Sequence, residues 1–205
     1  MIRLQADNEG IGRAAALLDA GKVILWPSGG VYGLATSALS VEGIARIRRA
    51  KGRAEDKPFQ VLASPSTSEN LGILGPEAHA IIRTLWPGFV GVVVPRRSPE
   101  LKSVAGPGDT VLLVCSGPVG CALASVAGSP AVATSANLSG RKEILTPDEA
   151  EEQFVESVDA MIDGGIQTGE LNTILDLSLP PYRILREGAV NAKAIMAVLA
   201  EAEQK

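Results

Sequence analysis

The chain has 205 residues, 46% hydrophobic and 20% charged, with a formal net charge of -4. That is enough apolar material for one sizeable core without disulfide or metal staples, and the acidic balance counts against generic nucleic-acid binding driven by phosphate neutralisation. Two cysteines (Cys115 and Cys121) and one histidine (His79) exclude a four-ligand Cys/His zinc site and a Cys₄ iron–sulfur cluster.

Read along the chain, helix and strand alternate. Asn8 is placed to cap a helix whose apolar positions Ile11, Ala14, Ala15 and Leu18 recur at helical spacing, with Gly21 to end it. Residues 23–27 (VILWP) form a buried strand, and Ser40 caps a helix through Ala50 with Ile44 and Ile47 inward. A strand over 59–63 follows, then a helix from Pro76, well suited to a first turn, through Leu85. Residues 90–95 and 110–115 are β-branched strands, 118–127 a short helix and 131–135 a strand. Thr146 and Glu149 make a capping box around Pro147. Three short strands (DAMI, NTILDL, YRIL) precede a last helix capped by Asn191, which runs into the EAEQK tail. No linker, composition break or repeat interrupts the pattern, so the expectation is one α/β domain over 1–205. Neither a signal-peptide core nor a membrane-length apolar run is present, which predicts a soluble, cytoplasmic protein.

Four segments differ from ordinary core or surface, each where a strand meets a loop. In PSGGVYGLA (27–35), Gly29, Gly30 and Gly33 allow a ligand close to the backbone, and Ser28 and Tyr32 add hydroxyls; the plain reading is a glycine-rich turn. Neither a Walker A loop nor a dinucleotide fingerprint is present. RIRRAKGRAEDKPF (46–59) carries Arg46, Arg48, Arg49, Lys51, Arg53 and Lys57 against Glu55 and Asp56. Such a run is commonly a solvated helix face, but cations on a short loop between packed elements suit a triphosphate or carbonate. ATSANLSG (133–140) offers Thr134, Ser135, Asn137 and Ser139 as paired donors and acceptors, or simply a polar turn. In RILREGAV (183–190), Arg186 closes a strand, and alone would be a surface arginine.

In this order the segments resemble the YrdC-like family, the YrdC/YwlC/YciO type that includes threonylcarbamoyl-AMP synthases. PSGGVYGL is similar to the family's PTETVYGL, KGRAEDKPF to KGRP…KPL, TSANLSG to PSANLSG, and REGAV to its late ReG(A/V). LWPGFVGVVV (85–94), DGG (163–165) and LNTILDL resemble its PGP-(L/F)-T, D-G-G and pSTV(V/I)DL segments. The resemblance implies a single YrdC-like domain: a twisted mixed sheet with helices around a concave basic cavity. It further implies a nucleotidyltransferase that joins ATP, bicarbonate and L-threonine, or another amino acid, into a carbamoyl-adenylate for the t6A modification of tRNA. Mg²⁺ would accompany the phosphates. Lys51, Arg53, Lys57, Thr134, Ser135, Asn137 and Arg186 would bind nucleotide and phosphate. Ser28, Tyr32 and Asn172 would bind the amino acid. No covalent catalytic residue and no protein-held metal are implied. Partners would be RNA or tRNA-modification proteins. The alternative is a diverged paralogue that binds nucleotide or double-stranded RNA, or uses a different amino acid.

Three departures fall on the amino-acid side. The family's Thr-Glu-Thr is Ser28-Gly29-Gly30 here, and Asn172 replaces a serine. The arginine of the family's V-R-(V/M)-P segment, expected to meet the substrate carboxylate, aligns with Val114.

Overall fold

The computed structural model describes residues 1–55 and 57–202; Asp56 of the basic segment and residues 203–205 of the EAEQK tail lie outside them. One ten-stranded mixed sheet organises the chain, in the order β1-β8-β2-β3-β7-β4-β6-β5-β9-β10. Its strands are β1 (Ile2–Gln5), β2 (Ile24–Pro27), β3 (Tyr32–Ser37), β4 (Gln60–Leu62), β5 (Val90–Pro95), β6 (Thr110–Val114), β7 (Ala131–Ser135), β8 (Ala160–Asp163), β9 (Thr173–Asp176) and β10 (Arg183–Arg186). The helices are α1 (Asn8–Asp19), α2 (Val41–Lys51), α3 (Ser68–Leu71), α4 (Pro76–Leu85), α5 (Gly117–Val126), α6 (Pro147–Phe154) and α7 (Ala192–Ala202). Among the described residues, no helix is long and apolar enough to cross a membrane.

Strand alternation divides the core between the two faces. Val23 and Leu25 enter one cluster with Tyr32, Leu34, Ile47, Val61, Ile81 and Phe154. Ile24 and Trp26 enter the other, with Ile11, Leu18, Ala35, Leu62, Val114 and Leu123. Helices α1 and α5 pack together over this second face. The stretch of this face beyond them carries Gly33, Gln60, Leu112, Ala133 and Ile174, and there a cavity opens.

Local chemistry sets the boundaries. Asp7, not Asn8, caps α1, its carboxylate accepting from the Gly10 amide at 2.8 Å. Ser40 caps α2 through the Gly43 amide, and Gly52, left-handed at φ 57°, ends it as a glycine C-cap does. Two strands go beyond the sequence reading. β1 pairs parallel with β8, but only Leu4 of its four residues is buried, which leaves no alternation to read. β3 occupies much of what reads as a glycine-rich turn: its six residues are buried, four of them (32–35) pair antiparallel with β2, and the turn itself is confined to 28–31.

Candidate functional site

The cavity has a volume of about 340 Å³ and draws its walls from segments far apart in sequence. Ser28 and Val31 come from the β2–β3 turn, Arg53, Lys57 and Pro58 from the α2–β4 connection, and Gln60 from the start of β4. Ser116 follows β6, Thr134 and Ser135 end β7, Asn172 precedes β9 and Arg186 ends β10. Seven of the ten residues expected to bind ligand, namely Ser28, Arg53, Lys57, Thr134, Ser135, Asn172 and Arg186, therefore line one space.

Its cationic wall is built in part by the ring of Phe59. The Arg48 and Arg53 guanidiniums stand 4.9 and 5.3 Å from that ring's centroid, a cation–π arrangement. Arg53 donates to the Pro58 carbonyl at 2.7 Å, which folds the loop so that the guanidinium faces the cavity. Burial and the Arg48 charge hold its pKa below the ordinary value, without removing a charge that arginine keeps in proteins. Across the cavity, Arg186 donates to the Asn172 carbonyl at 3.0 and 2.9 Å. Glu143, which also lines the space, supports the positive charge of Arg186 against burial.

Three expected ligand residues serve as the frame of the site instead. Lys51 is 3% exposed; its ammonium donates to the Ser135 and Asn137 carbonyls and to the Asn137 side chain. With its donors engaged it braces the 135–139 loop and is not among the cavity-lining residues. Asn137 is likewise turned into its own loop, accepting from Ser135 Oγ at 2.6 Å and donating to the Arg141 carbonyl at 2.6 Å. Tyr32 is fully buried, and its hydroxyl donates to the Gly165 carbonyl and accepts from the Gly164 amide, each at 3.1 Å. It ties β3 to the Asp-Gly-Gly turn rather than meeting an amino acid.

Val114 is a fourth correction. It is 1% exposed and packs with Leu62, Val119 and Leu123 beneath α5, so it is not the position of a ligand-facing arginine. Leu112, two residues before it on β6, and Ser116, two residues after it at the cap of α5, line the cavity. Anchoring the family's V-R-(V/M)-P on Pro118 puts the arginine's place at Ser116, and that proline was the signal available in the sequence. Ser116 and Asn172 hydrogen-bond to each other at 2.8 and 3.2 Å and are both buried. A neutral pair stands where a cation was expected.

The two glycines of the turn have a steric reason. A Cβ on Gly30 would lie 1.9 Å from the Glu170 carbonyl oxygen. Without one, the 167–170 backbone crosses the turn, and the Gly169 amide donates to the Gly30 carbonyl at 2.8 Å. Gly29 is left-handed at φ 85°, and its amide donates to Gln167 Oε1 at 2.8 Å. Sequence reasoning missed Trp26, Gln60, Phe89, Ser116, Glu143 and Glu170 as cavity residues. Gln60 is the one polar residue of an apolar strand, a usable signal; Glu143 and Glu170 had none.

A family profile for Sua5/YciO/YrdC, described as telomere recombination, matches residues 16–188. The chain belongs to the Sua5/YciO/YrdC family. It is 31% identical over 192 residues to the threonylcarbamoyl-AMP synthase of Pyrococcus abyssi, covering 92% of this chain and 56% of that one. To the threonylcarbamoyl-AMP synthase of Bacillus subtilis it is 30% identical, covering 96% of this chain and 58% of the other. The solved structure of P. abyssi Sua5 complexed with L-threonine superposes with a TM-score of 0.85 at 30% identity, over 98% of this chain and 60% of that one. The chain thus spans little more than half the length of these relatives. Within the Sua5/YciO/YrdC family, the twisted mixed sheet expected from the sequence is the fold observed.

Proposed function

We propose that this Sua5/YciO/YrdC chain is a threonylcarbamoyl-AMP synthase, forming an acyl-adenylate from ATP, bicarbonate and an amino acid, with L-threonine the first candidate. The observation that carries the reading is the meeting of Arg53, Lys57 and Arg186 with the hydroxyls of Ser28, Ser116, Thr134 and Ser135 in one cavity. The names of the P. abyssi and B. subtilis relatives support it.

The chemistry needs positioning and charge more than a nucleophilic side chain. The amino nitrogen attacks the carbon of bicarbonate, forming a C–N bond and losing water to leave a carbamate. A carbamate oxygen then attacks the α-phosphorus, the bond to the β-phosphate oxygen breaks, and pyrophosphate departs. Arg53, Lys57 and Arg186 would hold the phosphates and take up the charge that builds on the leaving group. Thr134 and Ser135 would seat the nucleotide, while Ser28, Ser116 and Asn172 would face the amino acid. Lys51, Asn137 and Tyr32 act at one remove by fixing the loops.

Magnesium would enter with the triphosphate. Among the described residues no group of three His, Cys, Asp or Glu side chains stands ready to hold a metal, so phosphate oxygens would be its main ligands. Among the described residues, Glu143 and Glu170 are the cavity's carboxylates.

The Ser116–Asn172 pair favours one variant of this reading, in which a different amine replaces threonine. Mass spectrometry of reactions containing ATP, bicarbonate and single amino acids tests both. Threonylcarbamoyl-adenylate as the main product supports the synthase; an adduct of another amine supports the variant; AMP-containing product from none of them contradicts the reading.

A further inference from the structure

Two buried side-chain polar atoms among the described residues lack a hydrogen-bond partner, Trp26 Nε1 and Arg53 Nε. Both residues line the same cavity. An unpaired buried donor costs stability, so two at one site point to acceptors that arrive with a ligand. For Arg53 the phosphates already answer this. Trp26 is unexplained by anything above.

The indole lies in a slot cleared by two glycines. Trp26, Gly33 and Ser135 form one row across β2, β3 and β7. A Cβ on Gly33 would sit 2.6 Å from Trp26 Nε1, so the ring's nitrogen edge occupies the space of the missing side chain. On the benzo edge, a Cβ on Gly120 of α5 would stand 2.6 Å from the ring. Held on both edges, Trp26 is 2% exposed and fixed in orientation. Its nitrogen edge lies against Gly33, next to the Thr134 carbonyl and in the row that continues to Ser135 of β7, while Ser28 follows Trp26 by two residues. The indole N–H is donor-only and uncharged, unlike the cations of the phosphate wall.

We propose that the Trp26 N–H is a donor for an oxygen of the carbonate-derived group, bicarbonate and then carbamate, holding it between the amine and the α-phosphate. This rests on the synthase reading, because that reading supplies a trigonal, oxygen-rich group at the middle of the cavity. Trp26 is then a binding residue for the least bulky substrate, which offers few other handles.

Protein labelled with ¹⁵N at tryptophan gives two indole signals. Trp86, whose N–H is bonded to the Val90 carbonyl at 2.7 Å, serves as an internal reference. In the presence of a non-hydrolysable ATP analogue, adding bicarbonate should shift the Trp26 signal and leave Trp86 in place. Trp26→Phe, checked for folding by its melting curve, should raise the KM for bicarbonate about threefold to tenfold, the worth of one hydrogen bond, with the KM for ATP little changed. A Trp26 signal moved by the nucleotide analogue alone, and not further by bicarbonate, would overturn the assignment, as would an unchanged bicarbonate KM in the variant. The synthase reading is tested separately by wild-type turnover. A bicarbonate-dependent shift in a protein without turnover would keep the site and discard the synthase.

Discussion

Val114 ends β6 and Ser116 lies two residues further on, at the cap of α5, yet only Ser116 reaches the cavity. Putting arginine at each position separates pocket from core. Val114→Arg buries an unpaired charge beneath α5 and should destabilise the fold by about 3 kcal/mol or more, read as lost soluble protein or a collapsed melting temperature. Ser116→Arg places the charge at the cavity wall; the protein should stay folded and bind threonine about tenfold more tightly if the carboxylate lacks a partner in the wild type. Calorimetry on both variants checks this, and a Ser116→Arg protein with unimproved threonine affinity would mean the wild type already pairs that carboxylate. Lys51 gives a second residue-scale expectation. Burial first, and then the Arg53 charge, lowers its pKa from 10.5 to about 8. Between these values the folded protein releases a proton that the unfolded chain still holds, so this group makes the fold more stable as pH rises through the window. Ligand binding runs the other way. A neutral amine has two hydrogens for three acceptors, and the 135–139 loop loses a brace. ATP affinity should therefore fall about threefold to tenfold above pH 8, and the inflection should vanish in Lys51→Met. An inflection that survives in Lys51→Met would assign it to another group.

At the scale of elements, the β2–β3 turn and the 167–170 segment behave as one unit, because Gly30 admits the Glu170 carbonyl where a side chain would stand. Gly30→Ala should push that segment away, break the Gly169-to-Gly30 hydrogen bond and cost about 1–3 kcal/mol. In a chain of this size that is a melting-point drop on the order of 3–10 °C, accompanied by faster amide exchange at 167–170. Unchanged exchange there would show that the two segments are not coupled. The same elements show what the sequence could tell. Strands β5 and β7 and helix α4 were legible to the residue, since β-branched runs and a proline-started helix have strong local signals. β3 was not, because Gly33 and the neighbouring glycines mask a strand whose pairing, not its propensity, makes it one. Seven cavity-lining residues could be found from ordered motifs. The bracing roles of Lys51, Asn137 and Tyr32 could not, since a motif marks a position but not the direction in which its side chain turns.

Across the whole molecule, the sheet brings together loops from both ends of the chain, and the acidic total charge coexists with a basic cavity wall. RNA contact, if it occurs, should come from the exposed part of the 46–57 segment and weaken steeply between 50 and 200 mM salt; filter binding over that range, with Arg48→Ala/Arg49→Ala as the control, reads it. Tight, salt-insensitive binding that survives the double variant would shift weight to an RNA-binding role. The synthase reading makes a stricter demand, that all three small substrates be consumed together at one site. The direct test is pyrophosphate release from ATP by the purified chain, with threonine and bicarbonate each supplied or withheld and Arg53→Ala run alongside. Release that requires both co-substrates and falls at least tenfold in Arg53→Ala, the loss expected for a charge-assisted phosphate contact of about 1.5–3 kcal/mol, is the predicted result; pyrophosphate release indifferent to bicarbonate, or none at all with any amino acid, would contradict it.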